Sequence, residues 1–391
     1  MEQKTSTSVV RELMTAFAER TGLSSTGKVP QRYLWTDAFA VCNFLELYRQ
    51  TGEGRYRRFA LRLVEQVHSV LGRHREDDPR MGWISGLGEQ EGKRHPTIGG
   101  LRIGKESNER RPGEPFDEHL EWERDGQYYH YLTKWMHALN RVSRVTGDIT
   151  YNRWAMELAK TAHARFTYIP SSGGRKRLYW KMSIDLSYPL VESMGHHDPL
   201  DGFITYKQLQ ATAGVNAGIS AMPDLRSEID DMGGICEGKS WDTEDPLGIG
   251  GLLCDAFRVA QLIVHGYCER TDLLKILLDS ALPGLGSYAR NSPLKLPAAY
   301  RLAFRELGLS IGLRAVERMR ILIEQNPDRF NKKRLPHSRI EALTRYAPLG
   351  KMIETFWLDP AERETDSWTA HRDINMVMLA TSLAPDGYLT L

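Results

Sequence analysis

The chain has 391 residues, 41% hydrophobic and 26% charged, which is enough apolar material for a large soluble core. A net charge of +2 excludes nucleic-acid binding through a concentrated basic face. Basic runs such as Arg73-His74-Arg75, Arg175-Lys176-Arg177 and Lys332-Lys333-Arg334 therefore read as solvated surface. No apolar run approaches the roughly 18 residues of a membrane span, and Met1–Ser8 carries no apolar signal-peptide core. The four cysteines form no C-x-x-C pair, and Cys236, Cys254 and Cys268 lack zinc-site spacing with His265. These features predict a cytoplasmic protein with reduced thiols and no metal or other cofactor.

Residues 1–30 predict a short amphipathic helix, Val9–Glu19, followed by a Gly/Ser/Thr linker ending at Pro30. Tyr33–Tyr48 is apolar at helical spacing nearly all round, the mark of a buried helix. After Thr51-Gly52 a second helix, Tyr56–Leu71, alternates apolar with Arg/Glu faces and should lie outside the first. This pair recurs at an offset of 95 residues. Thr51-Gly-Glu-x-x-Tyr-x-Arg-x-Ala-x-x-Leu, ending at His68, becomes Thr146-Gly-Asp-x-x-Tyr-x-Arg-x-Ala-x-x-Leu, ending at His163. Tyr33 aligns with Tyr128, and Phe44 with Leu139. A repeated buried helix, Gly turn and amphipathic helix predicts an array of helical hairpins. His68 and His163, on outer helices, are expected to be structural.

Weaker hairpins follow. A helix over Phe203–Ala213 takes a partner after Pro223, and Leu247–Tyr267 pairs with Thr271–Leu282. Pro297–Leu307 pairs with Ile311–Glu324, and Ile340–Phe356 with Trp368–Leu383, for about six in all. Three connections exceed the roughly 15 residues usual in compact domains or carry unusual chemistry. Arg75–Pro115 contains Trp83, Ile84, Leu87, Ile98 and Leu101, which argue for order. Thr167–Gly195 includes Arg177–Asp185, which reads as a short strand pair, and Gly233–Pro246 mixes glycine, tryptophan and carboxylates. Each connection precedes a buried helix, so in a closed ring they gather at one mouth.

Six such hairpins with long polar loops resemble the (α/α)6 toroid of the six-hairpin glycosidase superfamily, over about residues 30–391. The resemblance lies in architecture and implies a single all-α domain, 1–391, with long loops and a short β-hairpin. It implies a carbohydrate-active enzyme on a small sugar or oligosaccharide, foremost a glycoside hydrolase with a carboxylate acid/base at the mouth. The epimerases of the group imply a pair of facing histidines instead. An open helical-repeat binding protein is the rival reading, and the long loops count against it.

The candidate residues sit at the starts of the buried helices. His196, His197, Asp198 and Asp201 crowd into a loop feeding a helix N-terminus, where imidazole titrates near neutrality and a carboxylate caps or orients it. Glu121 and Asp125 precede the second repeat's buried helix and could supply a glycosidase carboxylate, with Tyr128 and His130 beside them. Trp35 and Asp37, Trp83 and Glu89, Trp241 and Asp242, and His371 complete the set, since indole stacks on a sugar face while carboxylates take its hydroxyls. No Walker loop is present, and Gly99–Gly104 follows no strand-like run, so nucleotide binding is discounted.

Overall fold

The computed structural model describes residues 2–24, 27, 29–215, 222–291, 293–330 and 337–391. The Lys332–Arg334 run and part of the 21–30 linker lie outside them. In chain order the helices are α1 (Glu2–Arg20), α2 (Leu34–Thr51), α3 (Gly54–Leu71), α4 (Glu89–Arg94), α5 (Glu118–Glu123), α6 (Tyr129–Thr146), α7 (Thr150–Phe166), α8 (Asp198–Val215) and α9 (Arg226–Cys236). They continue as α10 (Pro246–Val264), α11 (Thr271–Asn291), α12 (Ala303–Gln325), α13 (His337–Thr344), α14 (Ala347–Leu358), α15 (Asp366–Thr369), α16 (Arg372–Leu383) and α17 (Asp386–Leu389). Short strands are β1 (Gln127–Tyr128), β2 (Thr167–Tyr168), β3 (Arg177–Leu178), β4 (Lys181–Met182) and β5 (Pro189–Val191). The chain divides into two compact units, one of Ala18–Tyr48 with Glu53–Glu237, the other of Met1–Phe17, Arg49–Gly52 and Gly238–Leu391.

The first of these units holds the repeat. Every residue of α2 from Leu34 to Leu47 is buried, whereas α3 buries one stripe: Tyr56, Ala60, Leu63, Val64, Val67 and Leu71. Phe44 and Phe59 join the two helices at 5.5 Å between ring centroids. The matched turn glycines both take the left-handed conformation, with φ of 71° at Gly52 and 77° at Gly147, where a side chain would strain the backbone. The hairpins α6–α7 and α8–α9 pack the same way. Each outer-helix histidine reaches the next hairpin: His68 Nε2 accepts from Trp135 Nε1 at 3.1 Å, and His163 Nε2 meets Asp231 at 3.1 Å.

The 75–115 connection is ordered, as expected, because Trp83, Leu101 and Ile103 are buried, although Ile98 is exposed. Ile103 straps the unit together, its carbonyl accepting from Leu34 N–H at 3.0 Å and its N–H donating to Gly126 O at 2.8 Å. The strand pair expected within 177–185 forms differently. There β3 pairs with β2, while β4 pairs antiparallel with both β1 and β5.

In the other unit α10 packs on α11 and on α12, and α12 on α14 and α16. Pro297–Leu307 and Ile311–Glu324 are not two helices: a single helix, α12, runs through Gly308. Gly308, in the gap between the two expected helices, is a contact glycine. A Cβ on Gly250 would lie 2.0 Å from Gly308 O, and one on Gly312 would lie 2.6 Å from Gly250 Cα, so α10 and α12 meet backbone to backbone. α16 packs on α14 as well as on α12, and Ser6 Oγ of α1 donates to Leu383 O at its C-terminal end at 3.1 Å. Among the described residues one helix, α10, is long and apolar enough to cross a membrane, contrary to the expectation from sequence, and 78% of its most apolar window is buried. Gln261, on α10, fixes the chain end by donating to Leu389 O at 2.9 Å and accepting from Leu391 N–H at 3.0 Å.

Candidate functional site

At the start of α6 the chain delivers three consecutive aromatic groups, Tyr129, His130 and Tyr131, just after β1 has set Tyr128 against β4. The turn between β3 and β4 brings Trp180 over them. The His130 imidazole lies nearly parallel to the Trp180 ring, 6.2 Å between centroids at 11°, with Tyr128 at 5.3 Å and Tyr131 edge-on at 4.8 Å. Trp122, 46% exposed, stands against Trp180 at 5.1 Å, and the hydroxyls of Tyr131 and Tyr33 meet at 2.7 Å. The result is an aromatic wall with polar tips, a surface suited to the faces and edges of a pyranose.

The start of α8 faces this wall. Asp198 opens the helix and Pro199 supplies its fixed φ in the first turn. Asp198 Oδ1 lies 3.8 Å from His130 Nδ1, and that nitrogen is buried without a hydrogen-bond partner among the described residues. Gly195 makes room for the carboxylate, since a Cβ there would lie 2.3 Å from Asp198 Oδ2. Burial, reinforced by the nearby Lys134 ammonium, lowers the His130 pKa to about 4. His130 is therefore a neutral imidazole at pH 7. One turn on, Asp201 accepts from Lys134 Nζ at 2.8 Å and from Thr133 Oγ1. His196 and His197 lie just before α8 with their rings 4.6 Å apart, and Asp198 follows them directly.

Glu121 and Asp125 have other partners. Glu121 accepts from Lys181 Nζ at 2.9 Å and Arg110 Nε at 3.0 Å, and Lys181 also donates to the carbonyls of Glu121 and Arg124. Burial lowers the Lys181 pKa, while the Glu121 carboxylate opposes that shift. Asp125, fully buried, accepts from Arg102 Nη1 at 2.6 Å and from the backbone N–H of Gly104 and Gly126 at 3.0 Å. These two carboxylates tie the long loop and β4 to the base of α6. Asp37 caps α2, accepting from Tyr33 N–H at 3.0 Å, and Trp35 is core, 4.6 Å from Phe39.

Trp83 and Glu89 gather elsewhere in the same unit. A cavity of about 870 Å³ opens on α3 and α7, lined by Arg55, Arg58, Arg73, Trp83 and Trp154. The Arg73 guanidinium stacks on Trp83 at 4.3 Å and grips both oxygens of Glu89. Trp241, Asp242 and His371 belong to the other unit. Trp241 is buried with Lys239 Nζ 6.0 Å from its ring, Asp242 is exposed, and His371 precedes α16, edge-on to Phe304 at 5.5 Å. Trp180, Trp122, Tyr131 and Lys134 escape a reading of the sequence. The aromatic density of 177–182 and the alignment of Tyr33 with Tyr128 are the signals that point toward them. Among the described residues no group of three or more His, Cys, Asp or Glu is arranged to hold a metal ion.

No family model and no curated protein matches the sequence. Solved structures do match in shape. A GH76 α-1,6-mannanase from Salegentibacter sp. aligns over 97% of this chain and 99% of its own, with 12% identity and a TM-score of 0.54. The GH76 α-mannanase of Bacteroides thetaiotaomicron aligns over 97% and 95%, at 8% identity and a TM-score of 0.53. Cellobiose 2-epimerase from Spirochaeta thermophila aligns over 95% and 97%, at 12% identity and a TM-score of 0.50. The chain has the (α/α)6 toroid fold that these enzymes share. Within that fold, α2, α6, α8, α10, α12 and α16 are the buried members, and α6 and α8 carry His130 and Asp198 on their first turns.

Proposed function

We propose that the protein is a carbohydrate-active enzyme in which His130, backed by Asp198, moves a proton on a sugar bound against Trp180 and Trp122. The observation that carries this reading is the placement of the His130 ring, parallel to an indole and with a carboxylate 3.8 Å from its Nδ1. A neutral imidazole can accept a proton from a carbon beside a sugar carbonyl, and the Asp198 carboxylate stabilises the imidazolium that results. Nδ1 faces Asp198, which leaves Nε2 as the reacting nitrogen. Lys134, held by Asp201, destabilises the charged ring and so favours return of the proton to the sugar. This chemistry is epimerisation or isomerisation of a reducing sugar, in keeping with the likeness to cellobiose 2-epimerase.

Glycoside hydrolysis is the second reading, favoured by the likeness to the mannanases, one of which is known in complex with α-1,6-mannotetrose as an inactive variant with two consecutive aspartates replaced. In this chain the consecutive aspartates are Asp77-Asp78 and Asp230-Asp231. Asp77 is bound by Arg75, Asp78 by Arg80, and Asp231 by Lys176 and His163. Asp198 would have to serve as the acid in their place. None of the four cysteines is in a disulfide, which suits a reducing compartment and supports a cytoplasmic location.

The deciding experiment incubates the enzyme in deuterated water with neutral reducing disaccharides and with α-1,6-linked mannotetraose. Epimerisation or isomerisation incorporates deuterium at the carbon beside the carbonyl; hydrolysis shortens the oligosaccharide without it. His130→Ala abolishes the deuterium incorporation. Sugar binding without turnover in the wild type would return the protein to the class of non-catalytic binders.

A further inference from the structure

The cavity of about 870 Å³ beside α3 and α7 contains none of the groups assigned to proton transfer, and its lining has a chemistry of its own. Along α3 the lining residues Arg55, Arg58, Arg62, Glu65 and Ser69 follow one another at spacings of three and four, a single stripe about 21 Å long. Arg73, just past the end of α3, and Lys93 of α4 add cations there. Five cations thus stand against one carboxylate, Glu65, among the described lining residues. Little of this charge is neutralised locally. Arg55 pairs with Glu53 at 2.8 Å, but Arg73 and Lys93 share one carboxylate, Glu89, at 2.6 and 3.2 Å. Arg58, exposed on α3, has no hydrogen-bond or ion-pair partner among the described residues. Nor do these cations serve their own helix: α3 has no acidic residue in its first turn, where Arg55 and Arg57 oppose the positive end of the dipole.

The rest of the lining is largely apolar. Phe59, Leu61, Tyr151 and Trp154 line the cavity half-buried. The Trp154 indole N–H is already given to Arg94 O at 2.7 Å, so this side chain offers its apolar ring. Cations strung along a stripe do not converge on one point, as a small anion requires. A nucleic-acid strand or a sulfated polysaccharide would match the cations, but it would set charge and water against the apolar side chains and would meet Glu65. A helix with carboxylates along one edge and apolar residues along its face answers both features, in the way an amphipathic helix fills a groove between two others. A stripe of about 21 Å corresponds to about 14 residues of such a helix.

We propose that this groove docks an acidic amphipathic helix of a partner protein, its apolar face on Phe59 and Tyr151 and its carboxylates on Arg58, Arg62 and Arg73. The surface stands on its own lining and does not depend on the His130 chemistry. A display library of random peptides about 14 residues long, selected on the full chain, tests it, with heparin and an oligothymidylate as polyanion probes. The recovered peptides carry net negative charge with apolar residues recurring at helical spacing, and fluorescence anisotropy shows saturable binding that weakens with added salt. Arg58→Gln weakens that binding about fivefold, the size of one exposed ion pair, and Glu65→Gln strengthens it. Arg165→Gln, the same change of charge at a residue outside the cavity, leaves it unchanged. All three positions are exposed, so the variants fold, as melting curves check. The proposal is overturned if no acidic peptide is recovered, if the recovered peptides bind Arg58→Gln as tightly as the unaltered chain, or if only heparin or the oligothymidylate binds in a manner that depends on Arg58.

Discussion

Burial sets the pKa of His68 to about 3 and of His130 to about 4, yet the two rings serve different ends. Trp135 satisfies His68 with an indole N–H, whereas His130 meets a carboxylate across a gap at an aromatic wall. An unfolded histidine titrates near 6.5, so below that pH the unfolded chain binds more protons than the folded one. Stability therefore falls as pH drops from about 6.5 toward 4. Urea midpoints measured across this window should show the slope, and His68→Gln should flatten it. Turnover should hold to about pH 5 and fade through about pH 4, with kcat/KM against pH as the measurement.

Lys181 and Glu121 make the opposite case, a carboxylate that reads as chemistry in the sequence and sits in a buried ion pair in the fold. Lys181→Met, which leaves Glu121 buried without its ammonium, should cost about 3–5 kcal/mol. The Lys181→Met/Glu121→Gln double variant should cost less than the sum of the singles, measured by denaturant unfolding. Asp125→Asn should likewise lower the melting temperature, because it weakens the tie between Arg102 and the base of α6. Nothing in the 116–130 segment announces these partners. Lys181 is 60 positions away and Arg102 lies across the loop, so local spacing suggests acid/base groups where tertiary structure supplies cations.

Among the elements, the hairpin turns are the most legible part of the chain, because a left-handed residue after a buried helix demands glycine. Gly52→Ala and Gly147→Ala should each destabilise by about 1 kcal/mol. At both positions a methyl group would have nothing within 4 Å, so the cost is conformational and asparagine should recover part of it, as melting curves of the four variants would show. Gly195→Ala differs: its methyl would strike the Asp198 carboxylate, so activity should fall as in Asp198→Asn while the melting temperature changes little. Gly308 falls between the two helices expected over 297–307 and 311–324, and the structure runs one helix through it. Glycine marks both helix ends and close helix contacts, and only the neighbouring backbone of α10 distinguishes them.

For the whole molecule, the 95-residue repeat and the alternation of buried with amphipathic helices carry the fold class, and the structural likenesses bear it out at 8–12% identity. Two features are not written in the order of the chain: the segment Met1–Phe17 joins the unit that holds the last buried helix, and Ala303–Gln325 makes one helix where a pair is expected. A chain beginning at residue 18 should accordingly lose stability in the unit it no longer completes, seen as a lower-temperature transition in calorimetry. Ser6 and Thr7 anchor that segment on Leu383 and Gln50.

The seam at Gly250 and Gly312 has a consequence for how such a protein can change over time. Where two main chains touch, even one added carbon has nowhere to go, so neither position can be varied by small steps. In a saturation library selected only for folding, these two sites should stay fixed, while the exposed Trp122 drifts freely until selection asks for a ligand. Novelty in this molecule is confined to its rims, because its inner wall has no slack to give.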